Sequence, residues 1–131
     1  MAKELLSYVL LVEDEQQIVE VWAVILEREG YNVVCAYDGA DALRVLQMQT
    51  GLPALILTDL MMPRMSGFEF CRRIAAIPTF ADVPVVIVSS VVELSDLPPS
   101  GNIKAAFSKS IGVEKLLACV ATWGSTARTN G

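Results

Sequence analysis

Acidic, hydroxyl and ammonium side chains stand immediately after apolar runs at four points of this sequence. Glu13-Asp14-Glu15 follows Tyr-Val-Leu-Leu-Val at 8–12, and Thr58-Asp59 follows Ala-Leu-Ile-Leu at 54–57. Ser89-Ser90 follows Val-Val-Ile-Val at 85–88, and Ser108-Lys109 follows the run at 103–107. Grouped carboxylates repel one another unless a cation neutralises them. Hard oxygen donors suit Mg2+, which keeps several waters and takes only one or two protein carboxylates. Singly, each residue has an ordinary structural use. The acids at 13–15 could serve a helix N-terminus, Asp59 a loop, Ser89 a strand end and Lys109 a solvated surface. Their joint placement argues for chemistry, provided that the elements carrying them share one edge.

Apolar runs and helical patterns alternate along the chain. The runs at 8–12, 33–36, 54–57, 85–88 and 103–107 have the length and composition of strands. Ile18, Val21, Trp22 and Ile25 repeat at helical spacing before Gly30, residues 40–49 read as a helix after Asp38-Gly39, and residues 113–123 read as the last one. Ser66-Gly-Phe-Glu69 has capping-box spacing and opens a helix to about Ala76. This alternation implies right-handed βαβ units, hence an α/β, doubly wound, five-stranded parallel sheet with helices on both faces. Ligands of such a sheet bind outside the carboxyl ends of its strands, where Glu13, Asp14, Asp59, Ser89 and Lys109 fall. Pro98-Pro99-Ser100-Gly101 cannot lie inside a helix. The fourth helix, between the fourth and fifth strands, is therefore expected to be short or absent, with residues 91–97 forming about two turns at best.

Composition narrows the function classes. The 131 residues suit a single domain, 1–131, with a core over about 7–123. A hydrophobic content of 53% excludes disorder. The chain has no histidine, so it holds no imidazole zinc site, no Ser-His or Cys-His pair and no phosphohistidine of its own. Fifteen acidic against ten basic residues, a net charge of −5, argue against direct nucleic-acid binding. Cys35, Cys71 and Cys119 are expected to be reduced thiols packed as small hydrophobes. No signal peptide is visible and no window approaches the ~18 apolar residues of a membrane span. A cytoplasmic location without membrane contact is expected.

Val-Leu-Leu-Val-Glu13-Asp14-Glu15, Asp59-Leu-Met-Met-Pro63-Arg-Met-Ser-Gly67, Pro84-Val-Val-Ile-Val-Ser89-Ser90 and Phe107-Ser-Lys109 together resemble the receiver domain of two-component response regulators. The resemblance spans about residues 7–123, and the stretch from Asp59 to Gly67 is its most specific part. It implies a flavodoxin-like strand order 2-1-3-4-5. It also implies that Asp59 is the phosphoacceptor for a phosphohistidine on a sensor histidine kinase or phosphotransfer protein. Asp14, Asp59 and the backbone carbonyl of Met61 would ligate Mg2+, with Glu13 acting through water. Lys109 would balance charge on the phosphoryl oxygens, and Ser89 would hydrogen-bond the phosphoryl group. Such a protein is no enzyme beyond its own phosphorylation and dephosphorylation, and it signals by binding a downstream protein.

Several positions depart from the family pattern. Glu13 replaces the commoner aspartate, Ser110 stands where proline usually follows the lysine, and Ala106 stands where a switch aromatic is usual. Phe107 is offset by one residue, which in a strand turns it to the opposite face; it is expected to be a core residue. Met61 and Val91 occupy the two positions that often tune aspartyl-phosphate lifetime, and neither can orient a water, so slow self-dephosphorylation is expected. The alternative is a receiver-like binding module that signals without phosphate. A flavodoxin-like electron carrier is disfavoured because Glu13-Asp14-Glu15 would repel a flavin phosphate. An aspartyl phosphohydrolase is disfavoured by Met61 two residues after Asp59. With no linker towards an output domain in residues 127–131, the chain is expected to act as a stand-alone receiver.

Overall fold

The computed structural model describes residues 7–90, 101–110 and 112–128. Five strands run in parallel: β1 (Ser7–Val12), β2 (Val33–Ala36), β3 (Leu52–Thr58), β4 (Val85–Ser89) and β5 (Ile103–Ser108). Their order across the sheet is β2-β1-β3-β4-β5, as the resemblance implied. Four helices are present among the described residues: α1 (Gln16–Arg28), α2 (Gly39–Met48), α3 (Gly67–Ala75) and α4 (Val113–Trp123), the last followed by a 3₁₀ turn at Ser125–Ala127. The expectation of a shortened helix between β4 and β5 falls on residues 91–100, outside the described residues.

Alternation along each strand divides the core into two layers. Tyr8, Leu10, Val12, Ile56, Val85 and Ile87 face α2 and α3, where Leu46, Phe70 and Ile74 cover them. Val9, Leu11, Leu55, Leu57, Val86 and Val88 face α1 and α4, beneath Val19, Leu26, Leu116 and Val120. Burial on both faces is why the three central strands read as continuous apolar runs.

β3 begins two residues earlier than the apolar run suggested, taking in Leu52 and Pro53. Pro53 pairs only with Tyr8 of β1, beside a register shift between Tyr8 and Val9, and β4 joins only from Ile56 onward. A residue lacking an N–H is tolerated at such a strand start. Ser66 caps α3 by accepting the Glu69 N–H at 3.2 Å. The carboxylate of Glu69, however, turns to Arg72 and Arg73 rather than back to the cap. The thiols of Cys35, Cys71 and Cys119 are free, and no helix among the described residues is long and apolar enough to cross a membrane.

Candidate functional site

Backbone bonds at the carboxyl edge of the sheet bring the candidate residues together. The Glu13 N–H donates to the Ala36 carbonyl (3.0 Å), the Asp59 N–H to the Val12 carbonyl (3.1 Å) and the Lys109 N–H to the Ser89 carbonyl (2.9 Å). Each bond ties a strand end to its neighbour, so the sheet itself fixes these four positions.

One carboxylate oxygen each from Glu13, Asp14 and Asp59 lie within 4.8 Å of one another. Glu13 and Asp59 are buried, whereas Asp14 is exposed. The Lys109 ammonium sits across the cluster, 2.7 Å from Glu13 Oε1, 2.9 Å from Asp59 Oδ2 and 3.2 Å from Glu15 Oε1. Asp59 Oδ1 accepts the Leu60 N–H at 2.7 Å and the Met61 N–H at 3.4 Å, and Glu13 Oε2 accepts the Glu15 N–H at 2.9 Å. Burial pushes the Glu13 carboxyl above its ordinary value; Lys109 and the Glu15 N–H oppose this, while Asp14 and Asp59 reinforce it. Burial would lower the Lys109 ammonium, but the Asp59 and Glu13 carboxylates outweigh it and raise it well above the ordinary lysine value. One ammonium thus faces more negative charge than it can balance, and a set of hard carboxylate oxygens so arranged fits a divalent cation.

Ser89 ends β4 two residues beyond Ile87, the partner of Thr58. Its hydroxyl is fully buried and has no hydrogen-bond partner among the described residues. Ala106 packs with the layer under α2 and α3, and Phe107 with the layer under α1 and α4, which is the opposite-face placement expected from the one-residue offset. Phe107 is half-buried rather than fully enclosed. In the proline position Ser110 folds its turn onto Ser108, whose hydroxyl lies 2.9 Å from its own and accepts its N–H at 3.2 Å.

The loop after Asp59 is held from both ends. Gly67 donates its N–H to the Leu60 carbonyl at 2.9 Å, and a Cβ there would stand 2.0 Å from the Asp59 carbonyl oxygen, so only glycine fits. The Met61 side chain is exposed. Farther along, Arg64 adopts a left-handed φ of 63° and pairs with Asp38. Asp38 is buried; its other oxygen accepts the Asp41 N–H at 2.7 Å and so caps α2. The Gly39 N–H donates to the Met65 carbonyl at 3.0 Å. Sequence reasoning missed this tether. Asp38 before Gly39 signals a helix cap, but its burial depends on an arginine 26 residues away. It missed the reach of Glu15 for the same reason, since Lys109 lies 94 residues away.

The fold has counterparts among known proteins. Residues 9–121 match the family model of the response regulator receiver domain. A response regulator receiver domain protein from Methanospirillum hungatei is 24% identical, with a TM-score of 0.78 over 89% of this chain and 92% of that one. The signal receiver domain of a histidine kinase from Syntrophus aciditrophicus is 25% identical, with a TM-score of 0.78 over 95% and 94%. The receiver domain of a sensor histidine kinase from Pseudomonas aeruginosa, described with a magnesium ion coordinated in its active site cleft, is 24% identical, with a TM-score of 0.77 over 88% and 95%. With the family model spanning the sheet from β1 into α4 and the acidic cluster at its carboxyl edge, this chain belongs to the response regulator receiver domain family.

Proposed function

We propose that this chain is a phosphorylation-dependent signalling receiver in which Asp59 accepts a phosphoryl group from phosphohistidine. The donor is a sensor histidine kinase or a phosphotransfer protein, and the output is recognition by a downstream protein. The observation that carries this reading is the environment of Asp59: a buried carboxylate, Oδ1 on the Leu60 N–H and Oδ2 at 2.9 Å from Lys109, beside Glu13 and Asp14. In the transfer, a carboxylate oxygen of Asp59 bonds to phosphorus while the phosphorus–nitrogen bond breaks, its electron pair leaving with the imidazole nitrogen. Lys109 balances charge that spreads over the phosphoryl oxygens, because this chemistry is driven by positioning and electrostatics. Ser89, whose hydroxyl is unspent, hydrogen-bonds the phosphoryl group. Asp14, Asp59 and the Met61 carbonyl would hold Mg2+ directly, with Glu13 acting through water. Bound there, the ion would supply positive charge to the phosphoryl oxygens.

Acetyl phosphate with Mg2+ should add one phosphoryl group by mass, and Asp59→Asn should abolish the addition. Met61 offers no group to orient an attacking water, so the aspartyl phosphate should be long-lived. A half-life of seconds at neutral pH without a phosphatase would contradict that part of the reading. The second reading, a binding module that signals without phosphate, is favoured by Ala106 in the place of the switch aromatic. It becomes the conclusion if native protein stays unphosphorylated by acetyl phosphate and by histidine kinases alike.

A further inference from the structure

Glu15 occupies the N-cap position of α1, yet its side chain makes no capping bond. Only its backbone carbonyl serves the helix, accepting the Ile18 N–H at 3.0 Å and the Val19 N–H at 3.1 Å. An acidic residue at this position ordinarily spends its carboxylate on the free N–H groups of the first turn. Here the carboxylate turns outward over the sheet edge to Lys109. A lysine ammonium carries three N–H donors, and Lys109 faces three carboxylates: Glu13 at 2.7 Å, Asp59 at 2.9 Å and Glu15 at 3.2 Å. Of these, Glu15 Oε1 accepts a hydrogen bond from Lys109, whereas Glu13 Oε1 stands at ion-pair distance without a hydrogen-bond partner among the described residues. An incoming phosphoryl oxygen competes with these carboxylates for Lys109, most directly with the hydrogen-bonded Glu15. Glu13 and Asp59 are buried at 1% and 3% exposure, while the Glu15 side chain is 61% exposed and makes the longest contact. Glu15 is the one that can be displaced into water at low cost.

We propose that Glu15 is a rate-setting residue at the mouth of the site, an electrostatic brake on phosphoryl entry. It acts through Lys109: its carboxylate competes with an incoming phosphoryl oxygen for the ammonium, and its charge repels anionic phosphodonors. The proposal rests on the reading of Asp59 as phosphoacceptor. The step concerned, with acetyl phosphate as donor, forms an Asp59 oxygen–phosphorus bond and breaks the phosphorus–oxygen bond to acetate, which leaves with the electron pair and no net change in protons.

The test measures phosphorylation rates of the native chain, Glu15→Gln, Glu15→Ala and Glu15→Asp with saturating Mg2+. Two donors are compared, acetyl phosphate and phosphoramidate, at low and high ionic strength. Glu15→Gln should raise the rate with acetyl phosphate about fivefold at low salt, as removal of one like charge near the reacting group would. The gain should shrink as salt rises, since exposed charges are screened within about 10 Å at 0.1 M, and it should be smaller for the less negatively charged phosphoramidate. Glu15→Asp, which keeps the charge but withdraws it by one methylene, should fall between native and Gln. A merely structural role for Glu15 would not produce this dependence on salt and donor charge. Unchanged or slower rates in both Gln and Ala variants, or a gain insensitive to salt, would overturn the brake while leaving Asp59 as acceptor. Absence of Asp59 phosphorylation in the native chain and in every variant would overturn the parent reading, and the brake with it.

Discussion

Two buried hydroxyls lack a hydrogen-bond partner among the described residues, Tyr8 and Ser89, and their positions give them opposite meanings. Tyr8 lies fully buried in the layer under α2 and α3, where burial pushes its phenol up to about 12. An unsatisfied buried hydroxyl costs free energy that a phenylalanine would not. Tyr8→Phe should therefore match or exceed native stability, by up to about 1 kcal/mol in urea denaturation. Ser89 stands at the site, and Ser89→Ala should be equally well tolerated, within about 1 kcal/mol. Its effect should emerge only on phosphorylation, as smaller amide shifts at the end of β4 in NMR spectra. A Ser89→Ala variant that responds to phosphorylation like the native chain would remove the hydroxyl from the mechanism. Residue types and strand ends made Glu13, Asp14, Asp59, Ser89 and Lys109 legible as a group. The partners of Glu15 and Asp38 were not legible, because both side chains reach residues far away in sequence, Lys109 and Arg64.

At the scale of elements, the sequence pattern is legible where a period or a cap is strong. β2 and α4 match the expected residues, β1, β4 and β5 extend them by one and β3 by three, with Thr58, Ser89 and Ser108 belonging to strands rather than following them. What lacks a period stays hidden. The turn at Ser125–Ala127 is too short to show one, yet it closes the amino end of the sheet: the Asn32 N–H donates to the Ala127 carbonyl at 2.9 Å, Tyr31 bridges to Arg128, and Ala127 is fully buried. The ordered core accordingly runs past residue 123. Ala127→Asp buries an unpaired carboxylate and should cost about 3 kcal/mol or more. The surface change Thr126→Asp, beside it, should cost far less. Gly67 supplies the other element-scale test. A methyl group there meets the backbone oxygen of Asp59, which cannot move without disturbing the end of β3. Gly67→Ala should lower stability by about 2–4 kcal/mol. It should also weaken phosphorylation of whatever fraction stays folded, measured by thermal melts alongside acetyl phosphate labelling. A native-like melt would mean that the loop between β3 and α3 can open to accept a side chain.

For the whole molecule, charge placement matters more than the total of −5. Three carboxylates within 4.8 Å, with Lys109 shared among Glu13, Asp59 and Glu15, leave the carboxyl edge of the sheet under repulsion that the fold holds in place. Burial, reinforced by Asp14 and Asp59, raises the Glu13 carboxyl above its ordinary value. Raised in the folded state, that group favours folding below its unfolded value and loses the contribution as pH climbs through the folded one. A cation that binds the folded edge relieves the repulsion and should stabilise the chain by an amount that grows logarithmically with its concentration above the dissociation constant. At ten times its dissociation constant the gain is about 1.4 kcal/mol, or about 5 °C in melting temperature for a domain of this size. Asp14 is the residue on which to separate the two effects, being exposed and outside the Lys109 contacts. Asp14→Asn removes one like charge and one cation ligand together. Without Mg2+ the variant should melt at or above the native temperature. With increasing Mg2+ the native chain should gain stability and overtake it, so that the two melting curves cross. A variant that melts lower throughout and gains as much from Mg2+ as the native chain would show that Asp14 neither strains the edge nor holds the ion. Curves that cross would tie the acidic edge of the sheet, its cost in the free protein and its affinity for a cation to the same few oxygens.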